Sequence, residues 1–253
     1  MRSAHTSNTL HRKNVKSLNN PSWGRQQTVC VRQNYVSRAL SQLKGTKVGV
    51  ACVIGFHEGT HGLGVKVSEA RTALDAGAAE LDVVLNREHL LSRDYGMVFE
   101  ELCTLRGVST PDEGVVMKVI LETSQLGEDD VIAACTLAGY AGMDFVKTST
   151  GFLGRGASLE DVRVMDAVAE YLHQRGVGLK GGHGRTVKMK VKASGGIRSI
   201  EDAVGMIEAG AMRIGTSSGM KIVQEATAAA GEVQSKGEDK AGANEKEHGR
   251  TDY

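Results

Sequence analysis

Acidic side chains are absent from the first 57 residues, although the whole chain carries 30 Asp and Glu against 31 Lys and Arg. The formal net charge is therefore only +1, and neither a strongly acidic nor a strongly basic partner is implied. Nucleic acid is excluded from the expected partners on that ground. No apolar run approaches the roughly 18 residues of a membrane span, so no membrane partner is expected. Proline is scarce, with 2 residues, while glycine is abundant, with 32, so glycine supplies most of the turns. The four cysteines, Cys30, Cys52, Cys103 and Cys135, include no CxxC pair. They read as reduced structural thiols of a cytoplasmic protein.

What is present is enough for one large domain, with 40% apolar and 24% charged residues. The two ends differ from it. Residues 1–27 are rich in Ser, Asn and Thr, show little periodicity and carry Arg2, Arg12, Lys13, Lys16 and Arg25. An acid-free, basic start allows a mitochondrial presequence, but no amphipathic helix accompanies it. The expected division is an atypical, disordered start over 1–27, a folded domain over 28–230, and a polar tail over 231–253 too poor in large apolar side chains to order itself.

Within the domain one phrase recurs: Ala76-Gly77-Ala78 before Leu81-Asp82, Ala141-Gly142-Met143 before Phe145-Val146-Lys147, and Ala209-Gly210-Ala211 before Arg213-Ile214-Gly215. Each follows a helical pattern and precedes a short apolar run. The glycine suits the left-handed position that ends a helix. Two helix starts are legible in Ser158 with Asp161 and in Ser199 with Asp202. Strands are expected at Thr28–Val31, Val48–Ile54, Leu81–Leu85, Val115–Leu121, Phe145–Thr148, Lys188–Ala193 and Met212–Gly215. Seven strands alternating with helices predict an α/β fold, a (β/α)8 TIM barrel, with the first strand missing or atypical. A gap there would leave the first and last of these strands with exposed edges, and a segment near Val15–Leu18 is the competing filler.

The chemistry centres on Phe145-Val146-Lys147-Thr148-Ser149-Thr150-Gly151-Phe152. A lysine at the end of an apolar strand is poorly hydrated, which favours its neutral, nucleophilic amine. The plainer alternative is a lysine with a buried stem and a wet head. Lys192 is expected on the next strand, roughly 5 Å away, where two ammonium groups repel. Asp82, two strands earlier at the same end, can move protons; the alternative is a structural ion pair. Such an imine-forming site needs no metal or other cofactor. His57 and His61 share the letters of H-E-x-x-H but stand in a glycine-rich loop rather than on the helix that motif requires. The turns Gly195-Gly196 and Gly215–Gly219 follow the last two strands, where such barrels often bind phosphate.

The segments Thr28–Val31, Val53–Phe56, Glu80–Asn86, Val119–Thr123, the Lys147 stretch, Val191–Arg198 and Arg213–Lys221 together resemble the deoxyribose-phosphate aldolases, class I aldolases with a (β/α)8 barrel. The resemblance implies cleavage of 2-deoxy-D-ribose 5-phosphate to D-glyceraldehyde 3-phosphate and acetaldehyde, in deoxyribonucleotide catabolism. Lys147 would form the Schiff base, and Asp82 and Lys192 would handle protons. Thr150, Gly151, Gly195, Gly196, Gly215, Ser217 and Ser218 would hold the sugar phosphate. The implied partner is a small sugar phosphate, and a homodimer is compatible with it. The chain departs from the family in three places. It lacks the usual Asp-His-Thr first strand, carries a glycine-rich insertion around Gly178–Arg185, and has Arg32-Gln33 where Asn-Pro usually follows the cysteine. The other readings are a barrel that binds sugar phosphate without turnover and an imine-forming lyase for a different sugar phosphate.

Overall fold

The computed structural model describes residues 8–11, 27–109, 113–180 and 186–228. Ten strands lie among them: β1 (Asn8–His11), β2 (Thr28–Val31), β3 (Gly49–Ile54), β4 (Glu80–Val84), β5 (Val116–Ile120), β6 (Phe145–Lys147), β7 (Leu179–Lys180), β8 (Thr186–Val187), β9 (Lys190–Ser194) and β10 (Arg213–Thr216). The α-helices are α1 (Val36–Gln42), α2 (Leu63–Asp75), α3 (Arg87–Leu91), α4 (Tyr95–Arg106), α5 (Glu128–Tyr140), α6 (Leu159–Gln174) and α7 (Ile200–Glu208), and residues 219–228 are also helical. The large sheet runs in the order β1-β10-β9-β6-β5-β4-β3-β2, and β2 to β10 are parallel within it. All seven strands expected from sequence are present, within one or two residues of the expected bounds, alternating with helices as a TIM barrel requires.

The eighth strand is atypical rather than missing. The backbone of β1 pairs with β10 antiparallel, Asn8 opposite Thr216 and His11 opposite Arg213. It covers the edge of β10 and also approaches β2, without a ladder between β1 and β2 among the described residues. Residues 8–11 therefore supply a strand within the start expected to be disordered. A four-residue antiparallel pairing needs backbone groups, not a β-branched run, and so leaves little trace in composition. The alternative filler, Val15–Leu18, lies outside the described residues, as do the rest of the start and the 231–253 tail. The insertion before β9 is partly a two-stranded antiparallel ribbon, Leu179 opposite Val187.

The repeated glycines end their helices as expected. Gly77, Gly142 and Gly210 have φ of 96°, 76° and 122°, which a side chain tolerates poorly. After each glycine the next N–H reaches back five residues, Ala78 to Ala73 at 2.9 Å, Met143 to Ala138 at 3.0 Å and Ala211 to Met206 at 2.9 Å. This is the Schellman arrangement, and it turns the chain straight into the following strand. Helix starts also follow the reading: Ser158 accepts from the Asp161 N–H, and Ser199 with Asp202 forms a complete capping box.

Each strand divides its side chains by the two-residue period. Leu81, Val83, Met117, Val119, Val146, Val191 and Ala193 join the apolar layer under the helices. The alternate set faces the barrel interior, and there the strands are not continuously apolar. Glu80, Asp82, Lys118, Lys147 and Lys192 are all buried inside. Burying five ionisable groups costs several kcal/mol each unless they are paired, so their partners define the centre of the molecule.

Candidate active site

The register of the sheet brings the expected residues together. Lys147 on β6 is the direct backbone partner of Lys192 on β9, because β7 and β8 leave the main sheet and β9 pairs β6. Asp82 on β4 is the partner of Lys118 on β5, and β5 in turn pairs β6. Lys147 Nζ donates to Asp82 Oδ2 at 3.0 Å, and Lys192 Nζ donates to the same oxygen at 2.9 Å. The other oxygen, Oδ1, accepts from Lys118 Nζ at 2.8 Å. The two amines thus meet at one carboxylate oxygen.

Below Asp82 the network continues. Lys118 Nζ also lies 2.6 Å from Glu80 Oε2, and Arg213 on β10 holds Glu80 at 2.8 Å and 3.0 Å. Cys30 Sγ on β2 stands 3.9 Å from Asp82 Oδ2. Burial alone would raise the Asp82 carboxyl, but Lys118, Lys147 and Lys192 outweigh it and hold it well below the usual carboxylate range. Lys118 moves the other way: burial works against its charge, yet Asp82 and Glu80 push it up. Lys192 is brought down to about 8, by burial first, with Asp82 opposing and Lys147 and Lys118 adding to the fall. Burial and the Asp82 charge push the Cys30 thiol up, against the three lysines.

The glycine loops lie beside this centre. Gly195, at φ 82°, and Gly156, at φ 79°, meet backbone to backbone, so that a Cβ on Gly156 would fall 2.5 Å from the Gly195 carbonyl carbon. A Cβ on Gly195 would lie 3.6 Å from Gly151 Cα. Gly196 turns against the Arg155 carbonyl oxygen, 3.1 Å from where a Cβ would stand. Gly151 has open space at its Cβ position. Thr216 ties the last two loops, donating to the Ile197 carbonyl at 2.6 Å and accepting from Ser218 N–H at 2.9 Å. Ser217 is exposed and Ser218 half-buried, immediately before the helix over residues 219–228. Thr150 is held by Glu122, whose Oε2 accepts from the Thr150 N–H at 3.0 Å and from its hydroxyl. Gly215 leaves room for the Lys192 stem, since a Cβ there would meet Lys192 Cε at 3.1 Å.

Lys118, Glu80, Arg213 and Glu122 escaped the sequence reading. The signal for Lys118 was present, since a lysine inside Val115-Val116-Met117-Lys118-Val119-Ile120 matches the pattern that marked Lys147. The arginine and the glutamates carried no comparable mark, because each lies at or beyond a strand end. The segment His57–His61 forms turns and α2 begins only at Leu63, so the helix needed for the metalloprotease pattern is not there. Cys30, Cys52 and Cys135 are buried and free, and Cys103 is exposed and free. Among the described residues no helix is long and apolar enough to cross a membrane.

Comparison with known proteins agrees with this geometry. The model of the DeoC/LacD aldolase family matches residues 11–225. A Coccidioides immitis protein named deoxyribose-phosphate aldolase is 52% identical over 198 residues, covering 78% of this chain and 68% of that one. A deoxyribose-phosphate aldolase from Caldanaerobacter subterraneus is 45% identical over 78% of this chain and 79% of its own. A Coccidioides immitis crystal structure superposes with a TM-score of 0.70 at 51% identity, covering 79% of this chain and 73% of that one. The Aeropyrum pernix deoxyribose phosphate aldolase, described as a tetramer, gives 0.65 at 35% identity over 77% of this chain and 75% of its own. A family match over most of the chain, joined to a parallel barrel with lysines at its centre, has one meaning: the chain belongs to the DeoC/LacD family of aldolases.

Proposed function

We propose that the chain cleaves 2-deoxy-D-ribose 5-phosphate into D-glyceraldehyde 3-phosphate and acetaldehyde through an imine on Lys147. The observation that carries the choice of lysine is accessibility. Three lysines contact Asp82, and only the Lys147 side chain keeps any exposure, 5% against 0% for Lys118 and Lys192. A carbonyl carbon arriving from the mouth meets Lys147 first.

The neutral amine of Lys147 adds to the aldehyde carbon of the open-chain sugar, and loss of water gives the iminium. Its positive charge forms beside Asp82 Oδ2, already ionised and already placed for it. Removal of the proton from the C3 hydroxyl then breaks the C2–C3 bond. The bond's electrons pass into the enamine on Lys147, and D-glyceraldehyde 3-phosphate leaves. Protonation of the enamine at its terminal carbon and hydrolysis release acetaldehyde and return the amine.

Lys192 is better suited than Asp82 to carry these protons. A group near 8 exchanges protons readily at neutral pH, whereas a carboxyl held far below its usual range is a weak base. Asp82 instead orients both amines. The loops of Gly195-Gly196 and Ser217-Ser218, with Thr150 and Gly151, supply backbone N–H groups and hydroxyls for the phosphate.

Borohydride reduction in the presence of substrate, followed by peptide mass mapping, tests the reading. A stable adduct is expected on Lys147. An adduct on Lys192 or Lys221 instead would overturn the assignment. Retro-aldol rates on several phosphorylated sugars separate deoxyribose phosphate from another sugar phosphate as the substrate.

A further inference from the structure

Inside the barrel the charges can be paired off. Asp82 and Glu80 are the two carboxylates of the buried network, and Lys118 and Arg213 bind them at 2.6–2.8 Å. Two cations already match two anions before Lys147 and Lys192 are considered. Both remaining amines must then rest on Asp82 Oδ2, the second oxygen of a carboxylate that Lys118 already holds through Oδ1. A fifth or sixth charge in that space would stand unmatched, and unmatched buried charge is strongly disfavoured.

We propose that Glu80 and Arg213 are a positioning pair that sets the protonation of Lys192 from beneath: by completing a neutral quartet with Lys118 and Asp82, the pair leaves the amines that share Asp82 Oδ2 without a further anion. Neither residue reaches the mouth. Arg213 opens β10 and Glu80 opens β4, so they meet across the lower interior, where the Arg213 guanidinium also lies 4.6 Å from the centre of the Phe145 ring. The effect travels upward through Lys118, which touches both carboxylates. Lys192 falls to about 8 through burial first, with Asp82 opposing and Lys147 and Lys118 adding, while Asp82 and Glu80 push Lys118 up against burial; Lys118 is thus the link between Glu80 and Lys192. The inference rests on the imine reading of Lys147 for its functional meaning.

The other groups facing the amines do not disturb the count. β2 presents Thr28 to Glu80 at 3.5 Å and Cys30 to Asp82 at 3.9 Å, the latter a thiol pushed up and hence neutral. β3 pairs Ala51 with Glu80 and Val53 with Asp82. Glu122 above the end of β5 gives Oε2 to Thr150 and makes no hydrogen bond to either amine among the described residues, its Oε1 being buried without a hydrogen-bond partner. Lys190, at the foot of β9, lies 5.5 Å from the Phe145 ring. On β1 the backbone partner of Arg213 is His11.

The test is the pH dependence of borohydride trapping with acetaldehyde on the full chain, from about pH 5 to pH 10, across the carboxylate and lysine ranges. Arg213→Met leaves Glu80 unmatched, favours the ammonium forms, and should move the trapping midpoint up by roughly one unit. Glu80→Gln should move it down by a similar amount. The double variant should return to the original midpoint, and Arg213→Lys should hold it, responses that a merely structural role would not produce. Chemical shifts of labelled lysine Nζ groups give the same midpoints without substrate. Failure of the unaltered chain to trap on Lys147 at any pH would remove the imine reading alone, since the Nζ titrations still judge the pair. Single variants whose lysine titrations match the unaltered chain overturn the proposal, and so does a double variant displaced as far as either single one.

Discussion

Gly156 and Gly195 occupy the same few ångströms from opposite loops: a Cβ on Gly156 would stand 2.5 Å from both the carbonyl carbon and the oxygen of Gly195. The contact fastens the loop after the Lys147 strand to the loop after the Lys192 strand. The Ala157 N–H donates to the Gly195 carbonyl at 3.1 Å and completes the fastening. Gly156→Ala must therefore push two backbones apart, in a conformation at φ 79° that alanine already resists. The expected result is a fall of roughly tenfold or more in kcat/KM on the phosphorylated sugar, with far less change on free deoxyribose, as befits loss of a binding contact of about 1.4 kcal/mol or more. Parallel kinetics on the two sugars check it. An equal loss on both would remove the loops from phosphate recognition.

Lys147→Arg replaces the nucleophilic amine beside Asp82 with a guanidinium that stays protonated. The fold should survive, because the pairing with Asp82 can be kept. Trapping on that residue should vanish, and kcat should fall by roughly 10³-fold or more, the scale of losing a covalent nucleophile. Circular dichroism with single-turnover kinetics separates this from unfolding. Residual trapping on Lys192 at a comparable rate would reverse the two lysines' roles.

Much of this was legible in the sequence. The Ala-Gly phrase before each strand encodes a helix stop and a strand start in local backbone terms, and local signals survive in a linear reading. Lys147 and Lys192 stood out because a charge within a β-branched run is a visible conflict. What was lost depends on register. That Asp82 faces Lys118, and that Glu80 crosses the barrel to Arg213, follows from strand pairing and stagger between residues 36 and 133 positions apart. The antiparallel β1 was lost for a different reason, since its pairing is made by backbone groups common to every residue.

Lys118→Met probes the hub of the buried network. It leaves Glu80 and Asp82 without their shared cation, in an interior where each is otherwise met by Arg213 or by the two amines. Breaking such a buried pair from one side costs about 3–5 kcal/mol. Denaturant melts should show that loss. Lys118 also lowers Lys192, so the variant that still folds should trap with its pH midpoint moved upward. A melt within about 1 kcal/mol of the unaltered chain would show that the hub is not needed.

Acid should weaken the fold through the two interior carboxylates, which hold their charge to lower pH than ordinary ones. The folded pKa values of Asp82 and Glu80 both lie below their ordinary values, for both residues through nearby cations that outweigh burial. For a carboxyl depressed on folding, the stabilisation is complete above its unfolded pKa of about 4 and is lost as pH falls through the folded pKa. Stability from these two groups should hold from neutrality to about pH 5 and then decline. Glu80→Gln removes one of them and should flatten that decline. Urea midpoints measured at successive pH values check the sign; a midpoint that rises on acidification below about pH 4 would contradict it.

The last prediction concerns β1. Its backbone covers β10 in the register Thr9 opposite Gly215 and Asn8 opposite Thr216. Those partners sit at the root of the Ser217-Ser218 loop, and Gly215 shapes the channel for the Lys192 stem. In an antiparallel pair alternate residues exchange hydrogen bonds with the partner strand, so proline placed at Thr9 and at Leu10 in separate variants must, in one of the two, delete an N–H that the ladder uses. Proline also fixes φ near −65°, which an interior strand position does not tolerate. One of the two variants should therefore uncover the β10 edge. It should aggregate more readily and show a raised KM for the phosphorylated sugar, while trapping with acetaldehyde on Lys147 persists. Light scattering, steady-state kinetics and trapping measured on both variants decide the matter. If both remain as soluble and as active as the unaltered chain, β1 does not cover the β10 edge in solution.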